Sequence, residues 1–191
     1  LIRAGMRSIS LAVDVTNYVM LDLGQPMHAY DLDKIEGPIV VRRAAEGEKL
    51  TTLDGKEHDL SVEDLLITDS PDGNRGSRVL GIAGVMGGLY GEVTADTKNI
   101  LLEAAHFDSV SIARSARRHK IPSEASRRFE RGVDTQLQPA AAQMAAELLT
   151  KFGNGEPSGH PTDVNTTMYR RPIPFKATEV ARVAGLDVDV N

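Results

Sequence analysis

The 191 residues carry 22 Lys and Arg against 27 Asp and Glu, a net charge of −5 that argues against indiscriminate nucleic-acid binding. The chain has no Cys, which excludes disulfide frameworks, zinc knuckles and thiol nucleophiles, and its length suits one domain or two small ones with an adequate core. The most apolar stretch, Val79 to Val93, is interrupted by five glycines and falls short of a membrane span, and no signal-peptide pattern opens the chain, so a cytoplasmic protein without a membrane partner is expected.

Ile9, Ala12, Val13, Thr16, Val19, Met20 and Leu23 recur at three- and four-residue spacing and predict an amphipathic helix, with Ser8 as its N-cap and Gly24 as its stop. Gly24-Gln25-Pro26 then turns the chain into Met27-His28-Ala29-Tyr30. A β-rich middle follows: strands are predicted at Ile39 to Arg42, Leu50 to Leu53, Leu65 to Thr68, Arg78 to Ile82 and Asn99 to Ala104. Asp54-Gly55 suits a hairpin turn, and Ser70 to Ser77, rich in Asp, Gly, Asn and Ser, predicts an exposed loop. Beyond Phe107 the pattern is helical, with one helix capped by Asp108 or Ser109 and running through Arg117, and an Ala-rich one from Gln138 to Phe152 terminated by Gly153. Gly153 to Pro161 reads as a linker, and Tyr169 to Phe175 with a helix at Thr178 to Ala184 as the start of a second domain. Because the chain opens Leu1-Ile2-Arg3 without Met and ends just past that helix, it is expected to be a piece of a longer protein.

Charge is unevenly spread. From Arg114 to Arg131 six Arg and one Lys face two Glu, a local +5 that leaves −10 elsewhere. A solvated helix face paired with nearby carboxylates is the commoner explanation, and contact with RNA phosphates the sharper one.

Several chemistries are excluded by the residues themselves. No Gly-rich loop precedes Lys-Ser or Lys-Thr, Gly81, Gly84, Gly87 and Gly88 do not form a dinucleotide fingerprint, and neither a zinc-binding His pair, a calcium loop nor a nucleophile elbow is present. What remains is a scatter of polar and small residues, Arg7, Thr16, Asn17, His28, Gly87, Glu103, Ser123 and Ala125, which spacing alone does not group.

Four ordered runs group them. Ser10 to Tyr18 leading to Gly24-Gln25-Pro26-Met27-His28-Ala29-Tyr30-Asp31, then Gly81 to Gly88, Asn99 to Ala105 and Ser123 to Asp134 together resemble the editing module of bacterial phenylalanyl-tRNA synthetase β subunits. The likeness runs from Arg3 to about Asp163. It implies a module over residues 1–165 and, over 166–191, a linker and the start of a winged-helix-like domain. It also implies an α/β fold of α+β type, with layered mixed or antiparallel sheets and flanking helices.

The function implied is post-transfer editing, the hydrolysis of tyrosine wrongly esterified to tRNA(Phe). The partners implied are the tRNA acceptor end and a synthetase α subunit in a heterotetramer. ATP and Mg are implied for the full enzyme, and no cofactor for this piece. Editing needs a polar group at the end of an apolar pocket, because a site that hydrogen-bonds a hydroxyl discriminates far better than one that merely excludes it. By resemblance Glu103 is the tyrosine selector, and strand alternation puts it on the face of Leu101 and Ala105; otherwise it is a solvent-facing strand-end Glu. Ala125 leaves room for the aromatic ring and Gly87 lets backbone approach the substrate. His28, Thr16, Asn17 and Ser123 are the candidates for holding water, ribose and developing charge, and Arg7 lies toward the tRNA end. Many family members carry Thr where this chain has Ser123, so the hydroxyl is kept and the methyl lost. A non-catalytic module that docks RNA or a subunit through the basic cluster is the alternative.

Overall fold

Helix α1 (Leu11–Leu23) begins where Ser10, in extended conformation at φ −152°, accepts a hydrogen bond from the Val13 N–H at 3.4 Å. The cap is therefore Ser10 and not Ser8, because Ser8 and the Ile9 N–H are both drawn onto the Asp14 carboxylate, leaving Ile9 exposed ahead of the helix. Gly24 ends the helix at φ +76°, with its N–H on Met20 O. The computed structural model describes residues 1–159, 161–166, 172–176 and 178–186.

Immediately after the turn comes a strand absent from the sequence prediction, β1 (Met27–Asp31), which pairs antiparallel with β8 (Ile100–Ala104). The register sets His28 opposite Glu103, Tyr30 opposite Leu101, Met27 opposite Ala104 and Ala29 opposite Leu102. Directly opposed residues share a face of an antiparallel ribbon, so one face carries His28, Tyr30, Leu101 and Glu103 and the other Met27, Ala29, Leu102 and Ala104. The second face packs on a small core where α1 meets α4 (Gln138–Gly153) through Val15, Val19, Ala141 and Ala145. The first faces the larger core.

That larger core is built on an antiparallel sheet of order β2 (Val40–Arg43), β5 (Leu65–Asp69), β6 (Arg78–Ile82) and β7 (Met86–Gly87). Leu66, Leu80 and Ile82 fill it together with Tyr30, Ile112 and Phe129. The Asp54-Gly55 turn joins β3 (Lys49–Thr51) to β4 (Glu57–Asp59) as expected, with Gly55 at φ +78°. The Ser70 to Ser77 loop is exposed at Asp72 to Arg75 and at Ser77, while Ser70 and Gly76 are buried. Ser70 is buried, donating to Pro38 O at 2.8 Å and accepting from the Gly76 N–H at 3.0 Å, so the loop's two ends are pinned together.

Asp108 caps α2 (Ser109–His119) by accepting from the Ser111 N–H at 2.8 Å. A further helix that periodicity did not reveal, α3 (Glu124–Arg131), starts in a capping box in which Ser123 and Ser126 each accept the other's N–H at 3.0 Å. Helix α4 includes Gly153, and the left-handed terminator is Asn154 at φ +52°. α2 is fastened to the sheet by the fully buried Asp64, which accepts from the Ser61 N–H at 2.8 Å, Ser115 Oγ at 2.6 Å and Arg118, and contacts His119 Nε2 at 2.6 Å.

By their contacts the residues form two units, Leu1–Gly159 and His160–Asn191. In the second, α5 (Thr178–Ala184) occupies the predicted helical span. The expected segment Tyr169 to Phe175 falls partly on 167–171, which with 160, 177 and 187–191 lie outside the described residues.

Candidate functional site

The first face of the β1–β8 ribbon forms one wall of a pocket. His28, Tyr30 and Glu103 come from the ribbon, Gly81 to Gly87 from the β6–β7 hairpin, and Ala125 and Phe129 from α3. Four of the eight candidate residues, His28, Gly87, Glu103 and Ala125, thus come together although they are spread from position 28 to position 125. Apart from the three titratable side chains His28, Tyr30 and Glu103, the lining is apolar or glycine.

Gly87 and His28 touch closely. A Cβ built on Gly87 would stand 2.7 Å from His28 Cε1 and 2.8 Å from Nε2, so the imidazole occupies the space a side chain would take. The ring also meets Tyr30 edge-on, with centroids 4.4 Å apart at 68°. Enclosure in this apolar setting pushes the His28 imidazole down to about 4, so at neutral pH it is the uncharged base.

Glu103 lies on the face alternation predicted, with Leu101 and Ala105 packed toward the same large core. Its carboxylate is not free. Tyr30 donates its hydroxyl to Glu103 Oε2 at 2.7 Å. Burial lifts the Glu103 carboxyl above the ordinary range, with the Tyr30 bond working the other way. Burial, the Glu103 charge and the shared bond together raise the Tyr30 phenol, which therefore stays the donor.

The other candidates sit outside this lining. Ser123 is nearest, donating from α3's N-cap to Val85 O, a lining residue, at 2.8 Å. Thr16 is buried in α1 with its hydroxyl on Val13 O at 2.9 Å, Asn17 follows it half-buried, and Arg7 is exposed ahead of the helix. Sequence reasoning did not single out Tyr30. It also passed over Gln25, which is fully buried and ties the turn to Ala105 O at 2.9 Å, and accepts from Gln138 of α4 at 3.0 Å.

Four of the six arginines of the basic cluster are paired within the chain, although Glu124 and Glu130 are already counted in its local +5 and only Glu63 and Asp64 come from outside it. Arg118 pairs with Glu63 and Asp64, Arg117 with Glu130 at 3.6 Å, and Arg127 and Arg128 with Glu124 at 3.1 and 2.7 Å. Among the described residues no helix is long and apolar enough to cross a membrane.

The B3/4 domain family matches residues 1–154. Over all 191 residues the chain is 87% identical to the phenylalanine–tRNA ligase β subunit of Bifidobacterium longum, and over 188 residues, 97% of the chain, it is 53% identical to that of Streptomyces avermitilis. In each comparison it spans 22% of the relative, about a fifth of its length. Its fold is similar to that of an N-terminal fragment of the phenylalanyl-tRNA synthetase β subunit from Pyrococcus horikoshii. That match has a TM-score of 0.51 at 16% identity, and covers 94% of this chain and 52% of the other.

Proposed function

We propose, because the chain belongs to the B3/4 domain family and corresponds to that segment of phenylalanine–tRNA ligase β subunits, that it edits: it hydrolyses tyrosine esterified to tRNA(Phe). The observation that carries this reading is the cross-strand pair His28–Glu103, which puts a half-buried carboxylate and a neutral imidazole in one otherwise apolar pocket. Glu103 accepts a hydrogen bond from the substrate's phenol O–H, Ala125 and the β6–β7 glycines leave room for the ring, and His28 positions the attacking water or the ribose. Ser123, Thr16, Asn17 and Arg7 serve the ribose and the tRNA end. Formation of the ester, with its need for ATP and Mg2+, belongs in this reading to a synthetic site held mainly by the α subunit of a cytoplasmic heterotetramer. Residues 166–191 begin the next domain, winged-helix-like in the same reading.

Selectivity follows from an imbalance of partners. A phenylalanine ring in the same pocket leaves the carboxylate's second oxygen without the donor that tyrosine brings, and an unpaired buried polar group costs about 1–3 kcal/mol. A non-catalytic docking module would rely on free basic surface, and four of the six arginines in the cluster are paired with the chain's own carboxylates. The test is deacylation of Tyr-tRNA(Phe) and Phe-tRNA(Phe) by the whole synthetase. Preferential release of tyrosine, abolished by Glu103→Ala, is expected; equal rates for the two esters in the unmutated enzyme refute the selector.

A further inference from the structure

Glu103 is a carboxylate in the wrong place for stability. The elements packed around it, β5, β6, β7 and α3, present only apolar residues and glycines to the pocket, and the titratable groups facing it are His28 and Tyr30, both from β1. Glu103 is half-buried, and an acid enclosed by apolar groups ordinarily has a cationic partner or several donors. Here the one hydrogen-bond partner among the described residues is the Tyr30 hydroxyl on Oε2.

Tyr30 is fixed more firmly than the group it holds. It is 3% exposed within the large core. Its ring meets His28 edge-on, and it lies close enough to Gly91 that a Cβ there would fall 3.0 Å from Tyr30 Cδ1. Because Tyr30 is paired with Leu101, its phenol reaches Glu103 diagonally across the ribbon, a span suited to an aromatic side chain.

We propose that Tyr30 is a positioning residue for specificity: its phenol holds one oxygen of Glu103 in place and leaves the other as the single acceptor offered to a substrate phenol. The proposal rests on the editing reading and deepens it. The chain supplies one phenol donor from its own core, and the ligand class that completes the carboxylate is a second one. The same bond works against the burial that lifts the Glu103 carboxyl.

The test is Tyr30→Phe in the whole synthetase, which removes only the hydroxyl. We expect KM for Tyr-tRNA to rise about tenfold with kcat changed by less than about twofold, so that the preference for the tyrosyl over the phenylalanyl ester falls about tenfold. Without the Tyr30 donor the Glu103 carboxyl moves further up, so the preference is lost at a higher pH as acid is added. Unchanged preference and an unchanged pH profile overturn the proposal, as does an equal loss for both esters, which marks Tyr30 as a structural wall.

If Tyr30→Phe does not fold, 3-fluorotyrosine in place of Tyr30 keeps the shape while strengthening the donor. The preference should then survive to lower pH, and no shift overturns the proposal. Calorimetric binding of tyrosinamide and phenylalaninamide separates the two levels of inference. An enzyme that does not deacylate, yet prefers tyrosinamide until Tyr30 is changed, refutes editing and retains the positioning role. One that edits selectively without regard to Tyr30 does the reverse, and one that neither deacylates nor distinguishes the amides overturns both.

Discussion

Gly87→Ala puts the site's geometry under a defined load. To bring the 2.7 Å separation between the new Cβ and His28 Cε1 up to the 3.4 Å of ordinary contact, the imidazole must retreat by about 0.7 Å. The Tyr30 ring packs against it edge-on at a 4.4 Å centroid distance, so the imidazole must tilt within this packing or β7 must lift away. Overpacking of this size costs about 1–3 kcal/mol. Displacing a positioned group by close to 1 Å costs up to roughly 100-fold in rate, so a tenfold to hundredfold drop in kcat for Tyr-tRNA deacylation is expected. Single-turnover deacylation and a urea titration measure the two effects independently. A variant that deacylates at the unmutated rate while losing the expected stability shows that His28's position does not matter to the chemistry. One unchanged in both refutes the packing argument itself.

Two further outcomes follow from buried titratable groups. Asp64→Asn removes the charge facing Arg118 and His119 and should cost about 3 kcal/mol, a fall in melting temperature of roughly 6–12 °C; a change below about 2 °C would contradict it. Burial works to raise the Asp64 carboxyl, while bonds from Ser115, the Ser61 N–H and His119 outweigh it and hold the group below its ordinary 3.8. Its stabilisation is thus complete above that value and lost as pH falls through the lower folded one. For His28 the free imidazole titrates at 6.5 and the folded one at about 4, so the unfolded chain takes up the proton first and stability declines as pH drops from 6.5 through 4. His28→Gln should flatten that part of an acid-unfolding profile, and an unaltered slope there excludes His28 as its source.

Elements with a strong local signal were legible in the sequence. The span of β6 and the Asp54-Gly55 turn needed only their own residues, and Glu103's face followed from period-two alternation. β1 was not legible, because Met-His-Ala-Tyr-Asp has no β-branched residue and owes its extended form to pairing with β8, far along the chain. α3 was missed because Ala125 and Phe129 are its only apolar residues. The capping box and the packing of Phe129 on Phe107, with ring centroids 5.0 Å apart, hold it. Tyr30's engagement with Glu103 joins residues 73 apart, and no spacing rule reaches that far. The family resemblance grouped the candidates, and the ribbon's register supplied what resemblance could not, the internal phenol already bound to Glu103.

The two-stranded ribbon has a consequence for how this protein can be cut. Its far side is covered by α4, whose Ala141 and Ala145 close the small core over Met27 and Leu102 and whose Gln138 reaches Gln25 at the turn into β1. A fragment ending before Gln138 would keep every lining residue of the pocket and yet leave the ribbon that carries His28 and Glu103 open to water on its reverse. The shortest autonomous piece therefore extends beyond the last pocket residue, through Asn154, where the helix behind the ribbon is terminated.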